Sequence, residues 1–528
     1  MDMENPFSLS TGLFTFFLGL LLFLFLLSSM LRSRRTPTGE TREAPPEASG
    51  AWPLIGHLHL LNGSKAHHIK LGNMADKYGP IFTLRLGVHR NLIVSNWEMA
   101  KQCFTVNDKA FANRPNMLAL EVLGYNFSMV GFSPYGSYWS HMRKILSQHL
   151  LSTQRVDMLK HVMESEVKVG IKESYDIWQK KENNGSEKAT TEMKRWLGDI
   201  TFNIVFRAIL GKGFVGDKDS ENERFRKILR DYMDLAGSFT VSDAQPYLRC
   251  LDLDGAEKKM KKTIKELDGF IQVWLEQHKR KRNGDLANQD FMDVLLGLVE
   301  EGEEFDGHDP DTTIKATCLA LILAATDTST ATLTWAVALL LNHPEILNKA
   351  IEELDREVGK EKMVDMSDLK KLEYIHSIIM ETLRLYPAAP LSLIHESMED
   401  CIVGGYHVPT GTRLLTNISK LQRDPTMYPH PLEFRPERFL TTHKDVDIKG
   451  RHFQLIPFGA GRRMCAGLYF GFQLIHLTVA TLLHGFHIAT PDGKPVDMLE
   501  QVSLTNVLAS PLQVILTPRL SSHIYDQT

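Results

Sequence analysis

One stretch of this 528-residue chain concentrates groups suited to holding a metal: Pro457-Phe458-Gly459-Ala460-Gly461-Arg462-Arg463-Met464-Cys465-Ala466-Gly467. A cysteine sulfur that ligates a metal must be deprotonated, and nearby N–H donors and positive charge favour that state. Glycines let the backbone approach a cofactor closely. The apolar run 468–483 follows at once; as a helix it would turn the positive end of its dipole toward the sulfur. The alternative for Cys465 is a buried structural cysteine beside a glycine-rich turn, and the residues alone leave both open.

Further candidate groups lie upstream. Ala324-Ala325-Thr326-Asp327-Thr328-Ser329 places hydroxyls and a carboxylate in the middle of a long apolar segment, where they are costly unless hydrogen-bonded. Asp327 and Thr328 could relay protons; the alternative is hydroxyls bonded back to the preceding helical turn. Glu381 and Arg384 stand three residues apart and can pair on one helix face. Phe434-Arg435-Pro436-Glu437-Arg438-Phe439 and Trp139-Ser140-His141-Met142-Arg143 add two clusters of cations and aromatics.

The elements that must position these groups are mainly helical. Periodicity predicts helices over 158–177, 222–235, 257–282, 312–342 and 344–358. Residues 312–342 are apolar nearly all round, so this helix should run through the centre of the body. Short strands are predicted at 81–86, 91–94, 414–415 and 512–516. Residues 12–31 form an almost unbroken apolar run, long enough to span a bilayer as a helix. Asp2 and Glu4 precede it and Arg32, Arg34 and Arg35 follow, which puts the remaining chain in the cytoplasm. A cleaved signal peptide is the rival, but no basic start or small-residue cleavage site is clear. We divide the chain into an anchor (1–31), a basic and proline-rich linker (32–53) and one folded unit (54–528).

Composition narrows the function classes. A formal net charge of −4 gives nucleic-acid binding no electrostatic support. The five cysteines are odd in number, widely spaced and without a C-x-x-C pair, which argues against a disulfide scaffold or a structural zinc site. Four N-x-[ST] sequons, at Asn62, Asn126, Asn184 and Asn417, would matter only in a lumenal body.

The Cys465 segment resembles the heme-binding loop of the cytochrome P-450 superfamily, F-x-x-G-x-R-x-C-x-G, through Phe458, Gly461, Arg463, Cys465 and Gly467. Glu381-x-x-Arg384, Pro436-Glu437-Arg438-Phe439, Trp139-x-x-x-Arg143 and the Asp327-Thr328 motif follow the same superfamily pattern. Ala325 departs from it, since glycine is usual there. The phrases at 52–58, 75–80 and 420–425 resemble the plant endoplasmic-reticulum enzymes, in particular family 82.

The resemblance implies a mainly α cytochrome P-450 fold with small peripheral β-sheets, preceded by one N-terminal transmembrane helix. It implies heme b (iron protoporphyrin IX) with Cys465 as axial thiolate, and a loop shaped by Phe458, Gly461 and Gly467. Arg463, Trp139, Arg143 and His395 would meet the propionates. Asp327 and Thr328 would guide protons during oxygen activation. A buried Glu381–Arg384–Arg438 network is implied as a structural device. NADPH would supply electrons through a separate cytochrome P-450 reductase rather than bind this chain. The expected product is a hydroxylated lipophilic plant metabolite, first a flavonoid or related phenolic, otherwise an alkaloid, coumarin or terpenoid. The distal pocket is expected from residues 115–132, 321–325, 388–393 and 503–508, with Met117, Leu118, Leu391, Leu393 and Val507 as apolar lining. Two other classes stay in view: a peroxide-rearranging heme enzyme, which usually lacks the Asp–Thr pair, and a non-catalytic heme protein. The expected location is the endoplasmic-reticulum membrane, single-pass, with lipid as a further partner.

Overall fold

The structure, a computed structural model, describes residues 15–20, 22–23, 43–183, 190–213, 220–281 and 289–526. The chain divides into two units, Met1–Ala44 and Pro45–Thr528. Of the expected membrane span at 12–31, residues 15–20 and 22–23 are helical; the remainder of the span, and Asn184 among the sequons, lie outside the described residues.

In the second unit two helices, Leu58–Leu61 and His67–Tyr78, precede β1 (Ile81–Leu86) and β2 (His89–Val94). The helices α1 (Ser137–Ile145) and α2 (Lys160–Asn183), strand β3 (Thr190–Glu192) and α3 (Met193–Leu210) follow. Next come α4 (Ala256–Lys281), α5 (Pro310–Asn342) and α6 (Glu373–Leu385). Strands β4 (His395–Glu396), β5 (Cys401–Val403), β6 (Tyr406–Val408) and β7 (Arg413–Thr416) precede α7 (Leu468–Gly485), and β8 (Phe486–Ala489) and β9 (Gln513–Pro518) close the order. One sheet has the order β1-β2-β7-β4, with β2 and β7 parallel. A second has the order β3-β9-β8, and β5-β6 form a hairpin. The expected mainly helical body with small sheets is what the structure has.

The centre is α5. Asp309 caps it by accepting from the Thr312 N–H, and Pro310 opens its first turn, where a missing N–H costs nothing. Both flanks of its middle are buried, as its lack of a polar face predicts. Among the described residues, α5 and α7 are long and apolar enough to cross a membrane, yet both are mostly buried in the body and serve as core helices. The sequence reading passed over α3, which packs along α5. Its burial extends from Met193 and Leu197 to Ile209 and Leu210 and leaves a stripe through Arg195, Asp199, Asn203 and Arg207 partly exposed, so its amphipathic period is weak.

Residues predicted as the end of the linker join the body. The Ala48 N–H donates to Thr83 O at 3.0 Å, and Thr83 N–H donates to Pro46 O at 2.8 Å. This extends the edge of the sheet along β1.

Behind the site lies a buried ionic network. Arg384 donates through Nε and Nη2 to Glu381 at 2.6 and 2.7 Å, and both side chains are 0% exposed. Arg438 adds a 3.3 Å contact to the same carboxylate, and the Arg435 N–H donates to it at 3.0 Å. The remaining guanidinium N–H groups donate to the carbonyls of Gln422, Pro431 and Glu433 from Arg384, and of Pro429 and His430 from Arg438. Glu381 is therefore the one carboxylate shared by two buried cations, and backbone carbonyls accept from their other nitrogens. Removing its charge strands them, at a cost of roughly 3–5 kcal/mol. We expect Glu381→Gln to lower the urea midpoint and the heme-loaded fraction sharply, measured by denaturation and absorbance; a wild-type midpoint would show the network to be dispensable.

Candidate active site

The Cys465 loop is held from both ends. The side chain of Gln422 donates to Leu383 O and Arg384 O and accepts from the Ile456 N–H at 2.9 Å, so the loop starts from the buried network. The Cys465 N–H donates back to Phe458 O at 2.9 Å, closing the turn. Gly461 has φ +68°, and a Cβ there would stand 2.3 Å from Asp108 Oδ1. No other residue fits that close approach. Arg462, next in sequence, pairs with Asp108 at 2.8 Å.

Gly467 caps α7, and its N–H serves the Cys465 sulfur. Burial raises the thiol above its ordinary value, while the Gly467 N–H and the charge of Arg143 pull it down. Cys465 nonetheless has accessible surface, as does Ala324 in the middle of α5. A side chain both enclosed by protein and accessible borders an interior space rather than the outer surface.

Above the loop the structure gathers cations without acids. The Arg463 guanidinium lies 4.4 Å from the Trp139 ring centroid. Burial first, then the charges of Arg114 and Arg143, push the Arg463 pKa down. Among the described residues, Arg114, Arg143 and Arg463 form no ion pair with a carboxylate. Three guanidinium groups brought together in a partly dry region favour an anionic ligand. His395 is buried beside them, its Nδ1 2.8 Å from Phe111 O. A carbonyl only accepts, so Nδ1 carries the proton and the neutral ring offers Nε2 as an acceptor. Burial and then Arg114 hold this imidazole well below its ordinary pKa. It could therefore donate to a carboxylate through Nε2 only as imidazolium.

On α5, the Thr328 hydroxyl donates to Ala324 O at 2.6 Å, one of a ladder of such back-bonds with Thr326, Thr330 and Thr332. Asp327 accepts from the Thr505 hydroxyl. Ser329 lies against Gly471 of α7, so the polar step of α5 and the helix after Cys465 pack together.

The expected pocket segments are partly apart. Met117 and Leu391 are half-buried and Leu393 is exposed, whereas Leu118 and Val507 are buried in packing clusters. Within the first segment, Tyr125, Asn126 and Phe127 have φ of +52°, +51° and +65°. Left-handed conformation costs a non-glycine residue roughly 1–2 kcal/mol. The turn is offset by bonds from Asn126 N–H to Glu121 O at 2.9 Å and from Tyr138 Oη to Ser128 O at 2.7 Å.

The site has a sulfur bordering interior space and cations without acids of their own, a donor set that would fit iron protoporphyrin IX. Comparison with known proteins agrees. The family described as Cytochrome P450 matches residues 45–516. The chain belongs to the cytochrome P450 family. A strychnine-10-hydroxylase of Strychnos nux-vomica is 51% identical over 97% of this chain and 98% of its own length. A flavonoid-6-hydroxylase of Ocimum basilicum is 48% identical over 93% and 94%. Cytochrome P450 82A1 of Pisum sativum is 44% identical over 99% of both, which puts this P450 with the plant family 82 enzymes. A zebra fish cytochrome P450 solved with abiraterone shares the fold, with TM-score 0.70 and 23% identity over 86% of this chain and 99% of that one. As a P450 the chain is a monooxygenase whose cofactor is heme b.

The sequence reading missed Arg114 and Thr505. Arg114 is a lone cation inside the apolar stretch 110–115, a signal that could have singled it out. Nothing in sequence links Thr505 to Asp327, 178 residues away.

Burial, against the pull of the Thr505 hydrogen bond, raises the Asp327 carboxyl above its ordinary 3.8. The folded chain then holds this proton more tightly than the unfolded chain. Stability therefore falls as pH rises from the unfolded value through the folded one. Asp327→Asn removes that cost, so its thermal midpoint at pH 7.5 is expected at or above wild type, with the gap closing below pH 4. Parallel stability profiles for the two proteins would contradict this.

Proposed function

We propose that this P450 hydroxylates a lipophilic, ring-shaped plant metabolite, with Cys465 as the iron ligand and Trp139, Arg143, Arg463 and His395 around the propionates. Phe458, Gly461 and Gly467 shape the loop that carries Cys465. The observation that carries this reading is the pairing of an accessible, enclosed thiol with cations that have no acids of their own. Heme supplies the oxygen chemistry: one atom of O₂ enters the substrate and the other leaves as water, with two electrons from NADPH.

The chain's own residues bind, orient and move protons. Asp327, its carboxyl raised above the ordinary value by burial and oriented by Thr505, is placed to pass protons inward. The Thr328 hydroxyl hands a proton onward by rotating off the Ala324 carbonyl. Ala325, where glycine is usual, narrows the groove beside it. Ala324, Ala325, Met117 and Leu391 give the substrate an apolar wall with few polar anchors.

A flavonoid or related phenolic is the first substrate class, supported by the flavonoid-6-hydroxylase relative. The strychnine-10-hydroxylase relative favours an alkaloid as the second. NADPH-cytochrome P-450 reductase is the proposed electron donor. Residues 12–31 are the proposed anchor in the endoplasmic-reticulum membrane, with the body in the cytoplasm. Exposed apolar side chains at Tyr247, Leu251 and Leu253 suit a further contact with lipid.

Two measurements test the reading. Cys465→Ser is expected to lose the reduced carbon-monoxide band of thiolate heme, while substitutions at Cys103, Cys250, Cys318 and Cys401 keep it; a retained band in Cys465→Ser removes the ligand assignment. Microsomes containing the protein, reductase and NADPH, screened against phenolics and alkaloids, identify the substrate. With that substrate, Thr328→Ala is expected to lower the ratio of product to NADPH consumed by about ten-fold or more, within the range of acid–base contributions, with peroxide making up the difference. Wild-type coupling would reduce the hydroxyl to a helix back-bond.

A further inference from the structure

Arg114 and Arg463 reach the same short piece of the strained distal segment. Arg114 Nε donates to Gly131 O at 3.0 Å, and its Nη1 donates to Leu393 O and Ile394 O at 3.2 and 2.6 Å. Arg463 Nη1 and Nη2 donate to Val130 O and Ser133 O at 3.4 and 2.7 Å, and its Nε to Ala112 O at 2.7 Å. Each guanidinium has five N–H groups. Among the described residues, the acceptors of each are these three carbonyls, and no carboxylate pairs with either.

The segment they hold is the one that leaves the left-handed turn at Tyr125–Phe127. Its internal backbone bonds are Ser128 N–H to Tyr125 O at 3.1 Å, Met129 N–H to Gly124 O at 3.1 Å, Phe132 N–H to Met129 O at 2.9 Å and Ser133 N–H to Met129 O at 2.8 Å. Arg114 also joins it to the 393–394 stretch, at the end of the expected pocket segment 388–393. Like charges at Arg114, Arg143 and Arg463 repel, so the position of these guanidinium groups depends on an anion to hold them together.

We propose that Arg114 and Arg463 couple the carboxylates of the cofactor to the shape of the substrate pocket. One side of each guanidinium meets a propionate, and the other fixes the carbonyls of residues 130–133. The strained turn is thereby kept in one arrangement against the pocket. Arg114 is a positioning residue in this scheme and acts on specificity through the segment it holds. The inference rests on the proposed placement of heme above Cys465.

Hydrogen exchange on the heme-loaded protein tests it. In Arg114→Gln, amides of residues 124–133 are expected to exchange at least ten-fold faster than in wild type. Amides of α6 stay unchanged and the reduced carbon-monoxide band is retained. The spectral dissociation constant of a lipophilic ligand rises several-fold with the looser segment. Arg462→Gln, which removes the neighbouring cation paired with Asp108, is the control and leaves 124–133 as in wild type.

If Arg114→Gln fails to hold heme, Arg114→Lys takes its place. Lysine keeps the charge but cannot serve the Gly131 and Leu393–Ile394 carbonyls as a planar fork does. The same faster exchange is expected with heme retained. Wild-type exchange over 124–133 in a heme-loaded Arg114 variant overturns the coupling. A wild-type protein that shows no thiolate heme band overturns the placement on which the coupling rests, and the two failures are read on separate instruments.

Discussion

Glu381 is the carboxylate on which the proximal half of this molecule turns. Two arginines, Arg384 and Arg438, are buried with it, and three charges out of water are tolerable only because every guanidinium nitrogen has an acceptor. The acceptors come from the stretch 422–433, which has little regular structure of its own. That stretch is given its path by the guanidinium groups. Gln422 then transmits the position to Ile456, the residue before the cofactor loop begins. The network is remote from any reacting atom, yet it sets where the thiol stands.

The distal half obeys the opposite electrostatic rule. Arg114, Arg143 and Arg463 are brought together without a balancing acid, which lowers stability in the bare chain and raises affinity for an anionic group. The same positive field, with the Gly467 N–H, opposes the effect of burial on Cys465. In the proposed site a bound heme would favour the thiolate form of Cys465, and its carboxylates would balance the cations.

The central helix shows a similar compromise. An apolar helix would be better served without Asp327, whose ionised form burial disfavours. Its hydroxyls are satisfied by their own turns, so Thr328 costs the fold little while leaving a donor that can rotate. Function is placed where the helix loses least.

Much of this was legible from the chain alone. The spacing around Cys465, the Glu381–Arg384 pair and the unbroken apolar character of α5 are local features, fixed by neighbours a few residues apart. Such features determine which groups can do chemistry and which helix must be central. Other decisions belong to the tertiary structure. α3 is buried over most of its surface, so its sequence shows only a narrow polar stripe. Arg114 joins the cation cluster, and Thr505 meets Asp327, only because distant segments are folded together. Residues 46–48 leave the linker for the sheet edge because β1 offers unpaired backbone there. The left-handed turn at Tyr125–Phe127 contains no glycine of its own, and hydrogen bonds to Glu121 and from Tyr138 hold it against local preference. Local periodicity is written in sequence, whereas burial with only a weak period and pairing across the chain arise only when the core closes.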